Sequence, residues 1–205
     1  MNNVQQIIAV AIRSFTRDRN EKIKVIYEIF NHLVKSEGYK EVTTRRIAEE
    51  AGISVGIIYH YFPEGKPAIA AGFYETAFGS VMDPAKVLNG SPKHLEQEIS
   101  LHLENHRRNE AIFRAFDQAL LENHDIFEGL KRSRTELIEA RIAALLIEDK
   151  LPKTTIKELV DKYLKIYGLV DAIVHRHLFQ APYAESDEEL VHILVDLSLR
   201  LRGKN

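Results

Sequence analysis

The chain has 205 residues, of which 45% are apolar and 28% charged, and its formal net charge at pH 7 is −2. This composition is ordinary for a globular protein with a buried core and excludes disorder and low complexity. The chain contains no cysteine, which excludes disulfides, thiolate metal ligands and a cysteine nucleophile, and which suits a cytoplasmic location. Its N-terminal segment lacks the basic region and the apolar length of an export or membrane signal, so no membrane partner is expected.

The charges are unevenly distributed along the chain. Residues 1–66 hold 10 Lys and Arg against 8 Asp and Glu, a net +2, whereas residues 67–205 hold 18 against 22, a net −4. A mildly basic N-terminal third permits a module that faces DNA, but an asymmetry this small does not demand one.

Almost every segment has the apolar period of an α-helix, and the sequence predicts an all-α protein. Residues 1–20 are interpreted as an amphipathic helical extension, and residues 21–37 as a helix of about four turns that ends at Gly38. The next helix is short: either Thr43 or Thr44 is its N-cap, and Gly52 ends it.

The stretch GISVGIIYHYF, residues 52–62, has the composition of a β-strand, because β-branched and aromatic residues dominate it. An isolated strand in a helical chain would leave its backbone groups unpaired. As a helix capped by Ser54, the stretch turns Ile58 and Phe62 inward and turns Gly56, Ile57, Tyr59 and His60 outward. Two helices joined by a short turn with Gly52 are typical of a helix-turn-helix.

A further helix is predicted from Pro67 to about residue 82, followed by a connector that contains Asp83-Pro84 and residues 89–92. Thr154 or Thr155 is a candidate N-cap, and Ser186 with Glu189 forms a capping box. Long helices are predicted in the remaining sequence at residues 92–108, 110–122, 125–150, 154–180 and 187–202.

The run from Ile26 to Ile69 resembles the DNA-binding domain of the TetR family of transcriptional regulators. The resemblance rests on the motif TTRRIAEEAGISVGIIYHYFPEGK, residues 43–66. The resemblance implies three regions: an extension at 1–20, a helix-turn-helix domain at 21–66, and a larger helical effector-binding and dimerisation domain at 67–205.

The resemblance also implies which residues contact double-stranded DNA. The positions that match family contacts with the phosphate backbone are Thr44, Tyr59, His60 and Lys66. Such contacts set the register of the protein on DNA and give a salt-dependent affinity. Arg45, Val55, Gly56 and Ile57 occupy positions that approach base edges. The candidate DNA-binding residues are Thr43, Thr44, Arg45, Ser54, Val55, Gly56, Ile57, Tyr59, His60 and Lys66.

Two of these positions depart from the common family pattern, which often has Lys or Arg at Val55 and Thr at Ile57. Aliphatic side chains cannot form the bidentate hydrogen bonds that identify guanine or adenine. We therefore predict contacts with thymine methyl groups at Val55 and Ile57, and we take Arg45 as the candidate for guanine.

The last two helices are the candidate dimer interface. In residues 187–202 the apolar stripe is predicted to consist of Leu190, Ile193, Leu194, Leu197 and Leu201, with Val191, Val195 and Leu199 outside it. Residues 155–180 are apolar on more than one face, so this helix must bury two surfaces. The family implies a homodimer, and the alternative is a monomer in which these helices are central.

The family also implies a small-molecule pocket, and aromatic residues of the middle helices suggest a largely apolar effector. Gln118 lies among apolar neighbours and could also orient a ligand. The alternative for each residue is ordinary core packing. The candidate effector residues are His102, Asn105, Phe113, Phe116, Asp117, Phe127, Tyr163 and Tyr167.

An enzyme of another class is the second hypothesis. His102 and His106 are one helical turn apart, His124-Asp125 is an HD dipeptide, and Asp171 follows, an order that resembles metal-dependent HD-domain phosphohydrolases. The dipeptide is common by chance, and solvated histidines are expected in the charged segment LHLENHRRNE. We expect no cofactor, no metal and no enzymatic activity. The expected function is that of a ligand-controlled repressor that binds a palindromic operator.

Overall fold

The computed structural model describes the backbone of residues 3–78 and 82–203, and the side chains of residues 18–76, 82–123, 125–126 and 128–203. These residues form ten helices and no strand, which confirms the predicted all-α class. No helix among them combines the length and apolar character needed to cross a membrane. The helices are α1 Asn3–Glu37, α2 Thr44–Glu50, α3 Val55–Tyr61, α4 Lys66–Phe78, α5 Pro84–Asn89, α6 Pro92–Arg108, α7 Glu110–Glu122, α8 His124–Ile147, α9 Ile156–Phe179 and α10 Asp187–Arg202.

The chain folds into two compact units. The first comprises residues 1–77 and 114–126, and the second comprises residues 78–113 and 127–205. The first unit therefore contains the predicted helix-turn-helix together with most of α7.

The core of the first unit joins α1 to the three short helices that follow. Its fully buried side chains include Ile26, Phe30, Ile47, Ile58 and Ile69. Helix α1 continues without a break through residue 20, so the extension and the first helix of the DNA-binding region are one helix. The Tyr39 hydroxyl lies 3.0 Å from a carboxylate oxygen of Glu122, which ties the end of α7 to the same core.

The core of the second unit lies between α5, α6, α8, α9 and α10. Its largest fully buried side chain is Tyr163, whose hydroxyl donates to the backbone carbonyl of Met82 at 2.7 Å. The other buried members include Leu95, Ile99, Ile142, Ile166, Val170, Val174, Leu190 and Leu194.

The capping signals largely determine where the helices start. Thr43, Thr155 and Ser186 are the N-caps of α2, α9 and α10, and each side chain accepts a hydrogen bond from a backbone amide of the first turn. Ser54 occupies the N-cap position of α3 as predicted, but its side chain makes no capping bond.

The predicted connector at residues 83–92 is wrong in part, because it contains helix α5. Asp83 is the N-cap of this helix, Pro84 occupies its first turn, and the side chain of Asp83 accepts from the amide of Ala85. The proline was interpreted as a break, although at the first helical position its fixed φ favours a helix.

The predicted apolar stripe of α10 is also corrected. The core face consists of Leu190, Val191, Leu194, Ser198 and Arg202, whereas Ile193 and Leu197 are half-buried and Leu201 is 41% exposed. Period alone did not separate the two adjacent apolar faces, because both contain residues three and four apart.

Candidate DNA-binding site

Helices α2 and α3 form a compact helix-turn-helix. Gly52 has a φ of +65°, a left-handed conformation that glycine adopts without strain. The next amide, of Ile53, donates to the carbonyl of Ala48 at 3.0 Å, which closes the turn. Ile58 is fully buried and Phe62 is 7% exposed, so the predicted inward face anchors α3 to the core.

The outward face of α3 is accessible. Gly56, Tyr59 and His60 are exposed, and Val55 and Ile57 are half-buried. The surface that would meet a DNA groove therefore combines two aliphatic side chains with an aromatic hydroxyl and an imidazole.

A hydroxyl pair links the start of α2 to α3. The Thr44 hydroxyl lies 3.3 Å from the Tyr59 hydroxyl. Gly65, with a φ of +68°, fits closely against both side chains: a Cβ at this position would lie 3.2 Å from an atom of each. A side chain at residue 65 would thus displace the two hydroxyls.

Lys66 opens α4 and is held within its own unit. Its ammonium donates to the carbonyl of Tyr39 at 3.1 Å and lies 3.9 Å from the centroid of the Tyr39 ring. A phosphate contact by this ammonium would add to, or replace, an existing hydrogen bond.

The arginines of α2 form exposed ion pairs. Arg45 pairs with Glu49 at 2.9 Å, and Arg46 pairs with Glu50 and with Glu37. Exposed pairs one turn apart contribute little to stability. Arg45 could therefore leave Glu49 and contact a base edge at a small cost in free energy.

The candidate effector residues are divided between the two units. Phe116 and Asp117 belong to the first unit, where the Phe116 ring stacks on Tyr74 at 3.8 Å. In the second unit Phe113 is 1% exposed and Tyr163 is fully buried, so both are core residues of the structure. Asn105 is half-buried and accepts two bonds from Asn109, and the Phe127 side chain lies outside the described residues.

A surface cleft of about 340 Å³ lies in the second unit between α6 and α10. Its lining residues are Glu96, Ser100, Leu103, Glu104, Arg107, Asp187, Glu188, Val191 and His192. None of the candidate effector residues lines this cleft, and the walls are mainly charged.

Histidines of α6 and an aspartate of α9 form a partly buried cluster in the second unit. His102 Nε2 lies 3.0 Å from Asp171 Oδ1, and His106 Nε2 lies 3.5 Å from the same oxygen and 3.1 Å from His175 Nε2. His106 is 1% exposed and stacks on Phe113 at 3.7 Å. The expectation of solvated histidines in this segment is wrong, because α6 turns one side of its charged stretch toward α9.

The protonation of the cluster follows from its contacts. Burial lowers the pKa of His106, although the neighbouring Asp171 carboxylate favours the protonated ring and opposes this shift. Burial alone would raise the pKa of the Asp171 carboxyl, but hydrogen bonds with His102 and His106 outweigh burial and hold that pKa well below its usual range.

Only part of the phosphohydrolase set is brought together. His102, His106 and Asp171 converge in the second unit, whereas Asp125 is exposed and belongs to the first. The side chain of His124 lies outside the described residues. His175 follows Asp171 by one helical turn and so shares its face of α9.

The helix-turn-helix with its exposed face on α3 is the arrangement of a DNA-binding domain. Residues 31–71 match the family model described as bacterial regulatory proteins, tetR family. The resemblance that the motif indicates is confirmed over these residues. No curated protein matches the sequence.

Solved structures of regulators share the fold over most of the chain. Thermus thermophilus FadR, a TetR family repressor in complex with lauroyl-CoA, is 18% identical with a TM-score of 0.63, over 88% of this chain and 92% of its own. The fatty acid degradation regulator FadR of Bacillus halodurans is 15% identical with a TM-score of 0.54, over 88% and 94%. A transcriptional regulator of Rhodococcus sp. Rha1 is 19% identical with a TM-score of 0.55, over 87% and 96%.

Proposed function

We propose that this regulator is a repressor that binds a palindromic operator as a homodimer and is released by a small, largely apolar effector. The observation that carries the DNA-binding part is the exposed face of α3, held by the buried Ile58 and flanked by the Thr44 and Tyr59 hydroxyls. Each protomer would place one such helix in a major groove, and a two-fold dimer would place two in successive grooves.

The contacts divide by role. Thr44, Tyr59, His60 and Lys66 would bind phosphates and set the register, with Thr43 and Ser54 at the N-caps of the two helices. Base edges would be contacted by Arg45, Val55, Gly56 and Ile57. Because the two aliphatic side chains offer no hydrogen-bond donor or acceptor, they favour thymine methyl groups.

The operator itself tests this assignment. We expect DNA fragments selected from a random library to share a palindrome with thymine opposite Val55 and Ile57, with an affinity that falls steeply as salt rises. Replacement of Ile57 by alanine should relax the thymine preference while Gly129→Ala, on the exposed surface of α8, should not. A flat salt dependence with no enriched sequence would refute the DNA-binding function.

The effector is proposed from two observations. The candidate effector residues are mainly aromatic, and the FadR relative of known structure binds lauroyl-CoA. Binding would favour a conformer in which the spacing of the two recognition helices no longer matches the groove repeat. The coupling cannot exceed the ligand's differential affinity for the two conformers.

Release from the operator tests the effector model. Medium-chain and long-chain fatty acids and their CoA thioesters should be titrated against a preformed complex of the protein with its selected operator. A ligand of this class should weaken operator binding by about 5- to 150-fold, the usual range of allosteric coupling. A ligand that binds tightly and leaves operator affinity unchanged would contradict induction, although not DNA binding.

A further inference from the structure

Two helices of the second unit place three potential metal ligands around one point. His102 and His106 are one turn apart on α6, and Asp171 lies opposite them on α9. We propose that His102, His106 and Asp171 bind a divalent first-row transition-metal ion, for which Zn²⁺ is the best probe. This proposal departs from the expectation that the chain binds no metal, and it does not depend on the proposed DNA-binding function.

The spacing of the ligand atoms fits a metal. In a tetrahedral site with zinc–ligand distances of 2.0–2.1 Å, two ligand atoms lie about 3.3 Å apart. Asp171 Oδ1 lies 3.0 Å from His102 Nε2 and 3.5 Å from His106 Nε2, which brackets this value. One ligand atom from each of the three side chains lies within 4.8 Å of the other two, so a small adjustment suffices.

The tautomer of His106 presents a lone pair to the cluster. Its Nδ1 lies 2.8 Å from the backbone carbonyl of His102, and because a carbonyl only accepts, Nδ1 carries the proton. In the neutral ring the lone pair is then on Nε2, which faces Asp171. A ligand histidine whose other nitrogen donates to a carbonyl is the usual arrangement in metal sites.

The type of donor decides the class of cation. Two imidazoles and one carboxylate suit Zn²⁺, Fe²⁺, Ni²⁺ or Cu²⁺. Calcium and magnesium require mainly oxygen ligands, which this cluster does not supply. The site is also rigid, because His106 is held between the Phe113 ring at 3.7 Å and the His175 ring at 4.9 Å.

A hydrogen-bonded network without metal is the competing explanation. His102 can donate to Asp171, and His175 can donate to the lone pair of His106 at 3.1 Å. Both explanations satisfy the polar atoms, so direct measurement of metal binding has to separate them.

The experiment uses the full-length protein without a histidine tag, since a tag binds metals. Metal-free protein is loaded with Zn²⁺ or Co²⁺, and the metal that remains after dialysis is counted per chain. Co²⁺ also reports coordination, because a tetrahedral nitrogen and oxygen site absorbs strongly in the visible range. Competition with a chelator gives the affinity.

The variants are chosen to preserve the fold. Asp171→Asn and His102→Gln keep the side-chain size at the site, and His94→Ala removes an exposed histidine from the same helix as a control. Helix content and thermal midpoint of each variant confirm folding before metal is added.

We expect one metal per chain in the wild type and in His94→Ala, with a tetrahedral Co²⁺ spectrum. Each site variant should bind the metal at least tenfold more weakly. Removal of a residue that only hydrogen-bonds to a metal ligand already costs tenfold or more, and removal of a ligand itself should cost no less. If metal stays well below one per chain, or if folded site variants bind as tightly as His94→Ala does, the proposal is overturned.

Discussion

Tyr59 is 48% exposed on α3, yet its hydroxyl already has a partner 3.3 Å away in Thr44. Lys66 differs, because its ammonium is engaged with the carbonyl and ring of Tyr39. Both residues are proposed to bind phosphates, but their loss should change the salt dependence of operator binding differently.

Tyr59→Phe removes only the hydroxyl. We expect operator affinity to fall about fivefold, which corresponds to ~1 kcal/mol for a lost neutral hydrogen bond. The salt dependence of binding should not change, since no counterion is released by a neutral group. Fluorescence anisotropy with labelled operator at several salt concentrations measures both quantities.

Lys66→Met serves as the charged counterpart. It should weaken binding to every DNA sequence and reduce the slope of log affinity against log salt by about one. An unchanged slope would show that the ammonium stays with Tyr39 when DNA is bound.

At the scale of an element, the C-terminal end of α10 stabilises the second unit through a contact that the sequence pattern does not predict. Arg202 is 6% exposed, and its guanidinium donates to the carbonyls of Lys86, Val87 and Gly90 at the end of α5. The Lys86 carbonyl also accepts from the Gly90 amide, so Arg202 adds a second donor to a carbonyl of the last turn of α5. Burial lowers the pKa of Arg202, but an arginine remains charged in a protein.

Arg202→Met should destabilise the protein. Loss of three charge-assisted hydrogen bonds within the protein interior should lower the free energy of unfolding by about 2–3 kcal/mol. Denaturant unfolding followed by circular dichroism provides the measurement.

Arg200→Met is the matched control, because Arg200 is two residues away and makes an exposed pair with Asp196. It should change the free energy of unfolding by less than about 0.5 kcal/mol. Equal losses in the two variants would refute the role assigned to Arg202.

For the whole molecule, the proposed dimer needs an apolar surface that one chain leaves uncovered. Helix α10 offers one in Ile193, Leu197 and Leu201, which are spaced four residues apart and lie beside its core face. The first two are half-buried and the third is 41% exposed. A second copy could cover these side chains, which would explain apolar character on more than one face of the helix.

Leu197→Arg should break the dimer, because it places an unpaired charge in an apolar contact. We expect the dimer dissociation constant to rise at least tenfold, about 1.4 kcal/mol, with operator affinity falling in parallel. Sedimentation of the two proteins across a concentration series measures the change.

His192→Arg introduces the same side chain at an exposed neighbouring position of α10. It should leave the association unchanged. A wild-type protein that sediments as a monomer at all concentrations would contradict the proposed dimer.

The sequence by itself determined the helices and the recognition motif. Apolar period and capping residues are local, so α6, α7 and α10 have the predicted bounds, and the motif at residues 43–66 lies within the segment that matches the tetR family model. In α3 the β-like composition was outweighed by the need for backbone hydrogen bonds and by the burial of Ile58 and Phe62.

Tertiary structure decided which residues of different helices meet. Period placed His102 and His106 on one face of α6 but could not show that this face is buried against Asp171 and His175 of α9. It also could not pair Arg202 with the end of α5, more than a hundred residues earlier. Such contacts depend on how helices pack, and packing is set by the whole core rather than by the local pattern.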